Sequence, residues 1–358
     1  MMYVGVDVHK KVCRAAMAND EGELVEEFSF TNSKKGIEDF MMKIEAFGDR
    51  VLVAVESTAN LWIRLYDSLE DHGVQVVLSN PSKTRLIAEA KVKSDKVDAR
   101  ILAQLLRSGM LPLCWVPSRE QRDKREFIRH RMGLVKTRTE VKNRIHALLE
   151  KHGLRCPCST LFSQKGMKWL QGLNVGFMDD AVLKSDLALL ETLDGQIALM
   201  EAKIAAVAVD DERVKLLMTM PGLSYFAASL LVAEICDVNR FSSDRKLVAW
   251  AGLAPSIRQS GEKVRAGGIT RQGNKRVRWV MVQAAQTARL HDERFKEFYE
   301  RYSERKDPQK AVVAVAHEML RIVYFMLKKN ESYRGEKRDL SSRKLKSLKR
   351  YASVGLQV

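Results

Sequence analysis

The sequence predicts an α/β domain followed by a mostly α-helical remainder, and three observations predict it. Short β-rich runs alternate with amphipathic stretches up to about residue 115, apolar residues then recur every seven positions, and the last third alternates apolar helical runs with glycine-rich basic segments. These shifts divide the chain into 1–115, 116–210, 211–334 and a basic end at 335–358.

The opening run 3-YVGVDV-8 is β-rich, and 12-VCRAAMA-18 and 23-ELVEEFSF-30 follow across turn residues, which suggests a three-strand meander. Over 34–48, Ile37, Phe40, Met41, Ile44 and Phe47 fall at helical spacing. The next run, 51-VLVAV-55, is continuously apolar, as suits a strand in the buried middle of a sheet, and it ends at Glu56. A helix over 60–73 closed by Gly73, a strand over 74–79 and a further helix led by Asn80-Pro81-Ser82 complete the order βββ-α-β-α-β-α. An RNase H-like domain needs this order, and several other α/β folds begin the same way.

The carboxylates choose among those folds. Asp7 lies toward the end of the first strand and Glu56 ends the strand after the first helix; if these strands are neighbours, both acids meet at one edge of the sheet. In 92-VKSDKVDARILAQLL-106, Asp95 and Asp98 stand three apart at the start of an apolar helix, so they share a face. Four gathered carboxylates repel unless cations lie among them, and hard oxygen donors suit Mg²⁺ or Mn²⁺. Two such ions about 4 Å apart stabilise both the attacking and the leaving oxygens of a phosphodiester displacement. Lys93, Lys96 and Arg100 are placed to hold phosphates, whereas Asp67 and Glu89 read as surface charges.

Between 116 and 155 a long amphipathic helix is expected, with Phe127, Leu134, Val141 and Leu148 at seven-residue spacing. Its other face carries Arg122, Arg125, Arg129, Arg138, Lys142 and Arg144, disposed toward a phosphate backbone. Residues 156–178 read as a loop-rich connection with a short helix. A second heptad series, Leu183, Leu190, Ile197 and Ile204, marks a coiled-coil or antiparallel helix-pair element over 180–208, with Gly195 its weak point and dimerisation or spacing its role.

Farther on, Pro221-Gly222-Leu223-Ser224 separates two apolar helical runs in the manner of a helix-hairpin-helix turn facing a phosphate. Two glycine-rich basic loops follow between apolar helices, and in them Ser260 stands close to Arg258, Lys263, Arg265, Arg271, Lys275, Arg276 and Arg278. Cations around a serine favour it as a nucleophile toward phosphorus, although local chemistry alone favours a simple Ser-Gly turn. Two helices broken at Asp307-Pro308 are expected over 293–330, then a mobile basic tail that adds nonspecific phosphate attraction.

Composition fits these readings. Lys and Arg number 61 against 45 Asp and Glu, a formal net charge of +16 with a pI near 9.6, which favours a polyanionic partner, nucleic acid first. The five cysteines, Cys13, Cys114, Cys156, Cys158 and Cys236, form no C-x-x-C pair, so reduced thiols of a cytoplasmic protein are expected rather than a disulfide or zinc framework. No run of about eighteen apolar residues suggests a membrane span.

Taken together, 3-YVGVDVHK-10, 52-LVAVEST-58, 91-KVKSDKVDARILAQLL-106, 143-NRIHALLEKHGL-154, 219-TMPGLSYFAASLLVAEI-235 and 247-LVAWAGLAPSIRQSGEKVRAGGITRQGNKRVR-278 resemble the DEDD transposases of bacterial insertion sequences, the one-ten family to which the Piv-type DNA invertases are related. The resemblance runs from about Tyr3 to about Asn330 and implies a RuvC-like RNase H fold. Its metal-binding tetrad falls on Asp7, Glu56, Asp95 and Asp98, and a C-terminal transposase domain carries its serine at Ser260. It further implies Mg²⁺ or Mn²⁺ as a pair of ions, double-stranded DNA as substrate, a phosphoserine link to DNA, a homo-oligomer (dimer or tetramer) whose composite centre joins domains of different subunits, and, by likeness to bridge-RNA-guided recombinases, an element-encoded guide RNA. The expected activity is that of a transposase or recombinase. A site-specific invertase, a junction-resolving nuclease that uses water, and a nonenzymatic nucleic-acid-binding protein are the alternatives.

Overall fold

Alternation along the first strand sets the layers of the N-terminal part. The computed structural model describes residues 1–48, 50–87, 95–260, 263–305 and 307–356, with the side chains of 95–97, 257–260 and 263–266 outside that description. It divides into two units, Met1–Pro117 and Ser118–Val358.

In the first unit, β1 (Met2–Asp7), β2 (Val12–Ala18) and β3 (Leu24–Thr31) form the antiparallel meander. Then come α1 (Lys34–Glu45), β4 (Val51–Glu56), α2 (Trp62–Asp71), β5 (Gln75–Ser79), α3 (Pro81–Ile87), α4 (Asp95–Arg107) and β6 (Leu113–Cys114). The sheet order is β3-β2-β1-β4-β5-β6, with β4 parallel to both β1 and β5. The short edge strand β6, antiparallel on β5, was not expected, because two residues carry no readable period.

Val4 and Val6 of β1 join Val53 and Val55 of β4 against Ile37, Phe40 and Ile44 of α1 and Leu65 and Leu69 of α2. On the opposite face, Leu102 and Leu106 of α4 pack on Ala54, with Tyr3, Leu52 and Val77 beside them. Both faces of β4 are covered, which is why its sequence is apolar without alternation. Gly5 allows α4 to lie this close: a Cβ there would meet the Ala99 carbonyl oxygen at 2.1 Å and the Ala103 nitrogen at 2.5 Å.

The second unit begins with α5 (Arg119–Lys151), capped by the Ser118 hydroxyl, then α6 (Gln164–Gln171) and α7 (Phe177–Ala208). Ion pairs fix the α5/α7 direction: Arg131 pairs with Glu201, Arg138 with Asp194 at 2.9 Å, Arg144 with Asp186, and Lys151 with Asp179 at 2.7 Å. As one number rises the other falls, so the helices are antiparallel. Val141, Ile145 and Leu149 of α5 meet Leu183, Leu187, Leu190 and Leu193 of α7 between them, and α7 runs unbroken through Gly195. The expected helix pair is thus formed within one chain.

The remaining elements are α8 (Glu212–Met218), α9 (Tyr225–Ile235), a 3₁₀ turn at Val238–Arg240, α10 (Asp244–Trp250), β7 (Pro255–Ser260), β8 (Lys263–Ile269), α11 (Lys275–His291), α12 (Glu293–Ser303), α13 (Pro308–Lys329) and α14 (Arg338–Gly355). The α9 helix is buried almost all round and lies in a core with α8, α10, α11 and α13. Met220 and Leu223, flanking the Pro221-Gly222 turn, have no exposed surface, and Ser224 caps α9 by accepting from the Ala227 N–H. The turn is therefore held by packing.

The glycine-rich basic loops are in fact the antiparallel hairpin β7–β8, whose glycines and charges hid the strand pattern. The basic end is not a mobile tail: α14 packs along α7, with Leu348 and Ala352 buried in the main core and Lys344 Nζ donating to the Met218 and Met220 carbonyls at 2.7 Å.

Candidate active site

The register of the central strands brings the first two acids together. Val6 lies opposite Val55, so Asp7 and Glu56 follow side by side at the C-terminal ends of two parallel neighbours. Both stand on the α4 face, Asp7 in alternation with Tyr3 and Gly5, and Glu56 with Leu52 and Ala54. Sheets of this kind place ligands beyond such strand ends, where the chain switches from one side of the sheet to the other.

The direction of α4 brings the other two to the same place. Near its C-terminus, Arg107 donates to the Asp20 carbonyl, just past Ala18, the partner of Tyr3 at the start of β1. Two turns earlier Arg100 clasps Glu27, which lies opposite Ala16, itself the partner of Gly5. One turn earlier again, the helix start reaches the level of Asp7 and Glu56 with Asp98, half-buried, and the backbone of Asp95. Asp7 is 4% exposed, His9 Nδ1 stands 3.4 Å from its carboxylate, and the Thr58 hydroxyl donates to Glu56 at 3.3 Å. Burial pushes the Cys13 thiol up to about 11, and the Asp7 charge adds to the shift.

Among the described residues, no three His, Cys, Asp or Glu side chains converge as a metal cage; the Asp95 side chain lies outside them. The donor chemistry nevertheless fits a hard divalent cation, since the residues at this strand edge offer carboxylate oxygens. Lys93 also lies outside the described residues, as does the Lys96 side chain. Arg100, expected on a phosphate, is engaged by Glu27.

Ser260 ends β7, and its backbone pairs with that of Lys263 at the tip of the hairpin; its side chain and those of Arg258, Lys263 and Arg265 lie outside the described residues. The root of the hairpin is fixed in detail. The Thr270 N–H donates to the Ala254 carbonyl at 3.0 Å and the Asn274 N–H to the Trp250 carbonyl at 2.8 Å. Gly273, at φ +98°, makes the second contact possible, because a Cβ there would lie 2.1 Å from the Trp250 oxygen.

Asn274 then caps α11, its Oδ1 accepting from the Arg276 and Val277 N–H groups, and its Nδ2 donates to Glu234 at 2.8 Å. Glu234, 2% exposed, also accepts both guanidinium bonds of Arg129 at 2.7 Å. Arg125 and Arg240 donate to the carbonyls that end α9. The sequence reading missed Glu234 and Asn274. The one signal was a lone acid inside the apolar run 225–235, which a buried chain admits only with a partner.

Burial alone would raise the Glu234 carboxyl, yet the bonds from Arg129 and Asn274, with Arg125 near, hold it below the ordinary range. The resulting stabilisation is full above the unfolded glutamate pKa and is lost as pH falls through the folded value. Glu234→Ala removes the acceptor shared by Arg129 and Asn274 and is expected to cost about 1–3 kcal/mol, less than a fully buried pair because the Arg129 side chain is 37% exposed. Urea unfolding at neutral pH checks this, and a loss below about 1 kcal/mol, the scale of an exposed pair, would contradict it.

The basic residues divide by partner. Arg129, Arg138 and Arg144, expected at a phosphate backbone, are instead paired with Glu234, Asp194 and Asp186, because α7 and α9 supply acids at matching heights. Lys142 lies 4.6 Å from the Phe162 ring centroid. Arg271 and Lys275 are exposed beside the hairpin root, and Arg276 is half-buried, its charge disfavoured first by burial and then by Arg129.

Residues 4–153 match the DEDD transposase family of IS110 elements, described as "Transposase", and residues 214–300 match "Transposase IS116/IS110/IS902 family", together about two thirds of the chain. The protein y4qE of Sinorhizobium fredii, which carries a provisional transposase name, is 29% identical over 80% of this chain and 72% of its own. The transposase for insertion sequence element IS1111A of Coxiella burnetii is 24% identical over 92% and 91%. The pilin gene-inverting protein of Moraxella bovis is 23% identical over 92% and 97%. Among the described residues no helix is long and apolar enough to cross a membrane. With an N-terminal mixed sheet of RNase H type followed by a largely helical transposase region, the chain belongs to the IS110-type DEDD transposases.

Proposed function

We propose that the chain is a metal-dependent recombinase that cuts and rejoins an insertion element through the carboxylates Asp7, Glu56, Asp95 and Asp98 and the hydroxyl of Ser260. The observation that carries this reading is the meeting of Asp7 and Glu56 at adjacent parallel strand ends, beneath a helix whose first turn bears Asp95 and Asp98. The carboxylates hold Mg²⁺ or Mn²⁺, as a pair, which supplies Lewis-acid stabilisation of charge on the phosphodiester oxygens.

Ser260 Oγ attacks the scissile phosphorus and forms a Ser–O–P ester. One strand oxygen leaves and takes a proton to become a free hydroxyl, while the serine proton passes to solvent. One phosphodiester is exchanged for another, so a strand hydroxyl can reverse the step and rejoin DNA without an energy source. Arg258, Lys263 and Arg265, within five residues of Ser260, hold the scissile phosphate, and Lys142, Arg271, Lys275 and Arg276 are placed on flanking nucleic acid.

An element-encoded RNA pairs with donor and target DNA, and a dimer or tetramer completes the centre. The likeness to pilin gene-inverting proteins supports inversion as a second outcome of the same chemistry. The test is strand exchange on duplex DNA flanking the protein's own gene, with and without Mg²⁺ and with and without RNA transcribed from the adjoining noncoding region. Exchange is expected only when metal and RNA are both present. Exchange in a chelator removes the metal from the reading, and exchange without RNA removes the guide.

A further inference from the structure

The cations of α14 differ from those of α5. Along α5 the arginines at 129, 131, 138 and 144 each meet an acid of α7 or α9. On α14, Ser341, Leu348 and Ala352 are buried, and Gly355 lies against the Ala202 backbone. Arg343, Lys346, Lys349 and Arg350 are all exposed, Arg343, Lys346 and Arg350 on the side opposite those residues and Lys349 at its edge, and no ion pair to any of the four occurs among the described residues. Asp339, one turn before Arg343, is the acid on that side. Arg343, Lys346 and Arg350 are spaced three and four apart and share a face, Lys349 follows Lys346 by three, and the four like charges repel one another. Over seven residues they span about 10 Å of helix. The helix lies outside the residues matched by either family.

We infer that the outer face of α14 is a binding surface for the phosphate backbone of duplex DNA, resting on the reading of the chain as a DNA recombinase. A polyanion relieves the mutual repulsion of the stripe, and a straight, packed helix presents its charges to a regular phosphate ridge without first being ordered. Single strands are held by aromatic stacking as well as charge. The aromatic residue of this helix, Tyr351, instead packs on Tyr225 with ring centroids 5.5 Å apart and lies 5.4 Å from the Arg350 guanidinium, so its ring is engaged within the protein. A surface of this kind contributes affinity without sequence preference, which distinguishes it from the residues proposed around Ser260.

The test replaces Arg343, Lys346, Lys349 and Arg350 together by glutamine in the full chain and measures Kd for a random-sequence DNA duplex across a salt series, with single-stranded DNA and RNA of equal length as parallel arms. Circular dichroism and thermal unfolding establish that the variant keeps its fold. The slope of log Kd against log salt for duplex DNA is expected to fall by about 0.9 for each lost phosphate contact, with affinity weakened at least tenfold at low salt. Adduct formation at saturating DNA is expected to persist. An unchanged slope and affinity for duplex DNA would overturn the inference and leave a solvated face, and a change confined to RNA or to single strands would overturn the choice of partner. Wild-type protein that binds no duplex even at low salt would remove the recombinase reading as well, whereas loss of adduct in the variant at saturating DNA would place these residues in the reaction rather than on this surface.

Discussion

Ser260→Ala is expected to abolish the covalent protein–DNA intermediate and to leave duplex binding intact. The hydroxyl is the only atom set lost, and the backbone pairing of residue 260 with Lys263 does not depend on it. The hairpin is fixed at its root by Thr270, Gly273 and Asn274, so the surrounding cations keep their scaffold when the nucleophile goes. Loss of a nucleophile removes several orders of magnitude of rate, at least about 10⁴-fold on the scale of nucleophile knockouts in other hydrolytic sites. Ser260→Cys separates geometry from chemistry, since it keeps a nucleophile of similar reach. Protease digestion of the wild-type adduct followed by mass spectrometry should place the nucleotide on the peptide that contains Ser260. A nucleotide found on any other peptide would reassign the nucleophile.

Asp7→Asn and Asp98→Ala are expected to reduce cleavage by at least about a hundredfold to a thousandfold, the scale of losing one preorganised stabiliser of transition-state charge. Asp7 is the more exacting test. It is nearly fully buried at the end of β1, and asparagine keeps its shape while removing the negative charge. If the carboxylates hold cations, the residual activity of Asp98→Ala should require more Mg²⁺, and Mn²⁺ should restore part of it. Unaltered cleavage by Asp7→Asn across a metal titration would show that the acids at the strand ends take no part.

Much of the first unit was legible because its signals are strong and local. The apolar run at 51–55 predicted a strand covered on both faces, and α1, α2 and α4 cover it. The placement of Asp7 and Glu56 followed from the strand order alone, since adjacent parallel strands in register must end together. The second unit was less legible, and for physical reasons. Charge patterning on α5 could not reveal that α7 and α9 carry acids at the same heights, so Arg129, Arg138 and Arg144 looked available. The hairpin at 255–269 hides its period behind glycines and cations that carry no apolar alternation. The polar cluster at Glu234 joins residues more than a hundred positions apart, and no spacing rule connects Arg129 to Asn274. The final helix looked like a charged tail because its buried stripe is only Ser341, Leu348 and Ala352.

The most direct test of the account is a denaturing-gel assay with Mg²⁺, end-labelled DNA flanking the protein's own gene and RNA from the adjoining noncoding region, comparing wild type with Ser260→Ala and Asp98→Ala. The account predicts a labelled protein–DNA adduct with wild type alone, because the acids and the serine act in one reaction. Cleavage without an adduct, unchanged in Ser260→Ala and lost in Asp98→Ala, would contradict it and make the chain a metal nuclease in which water attacks.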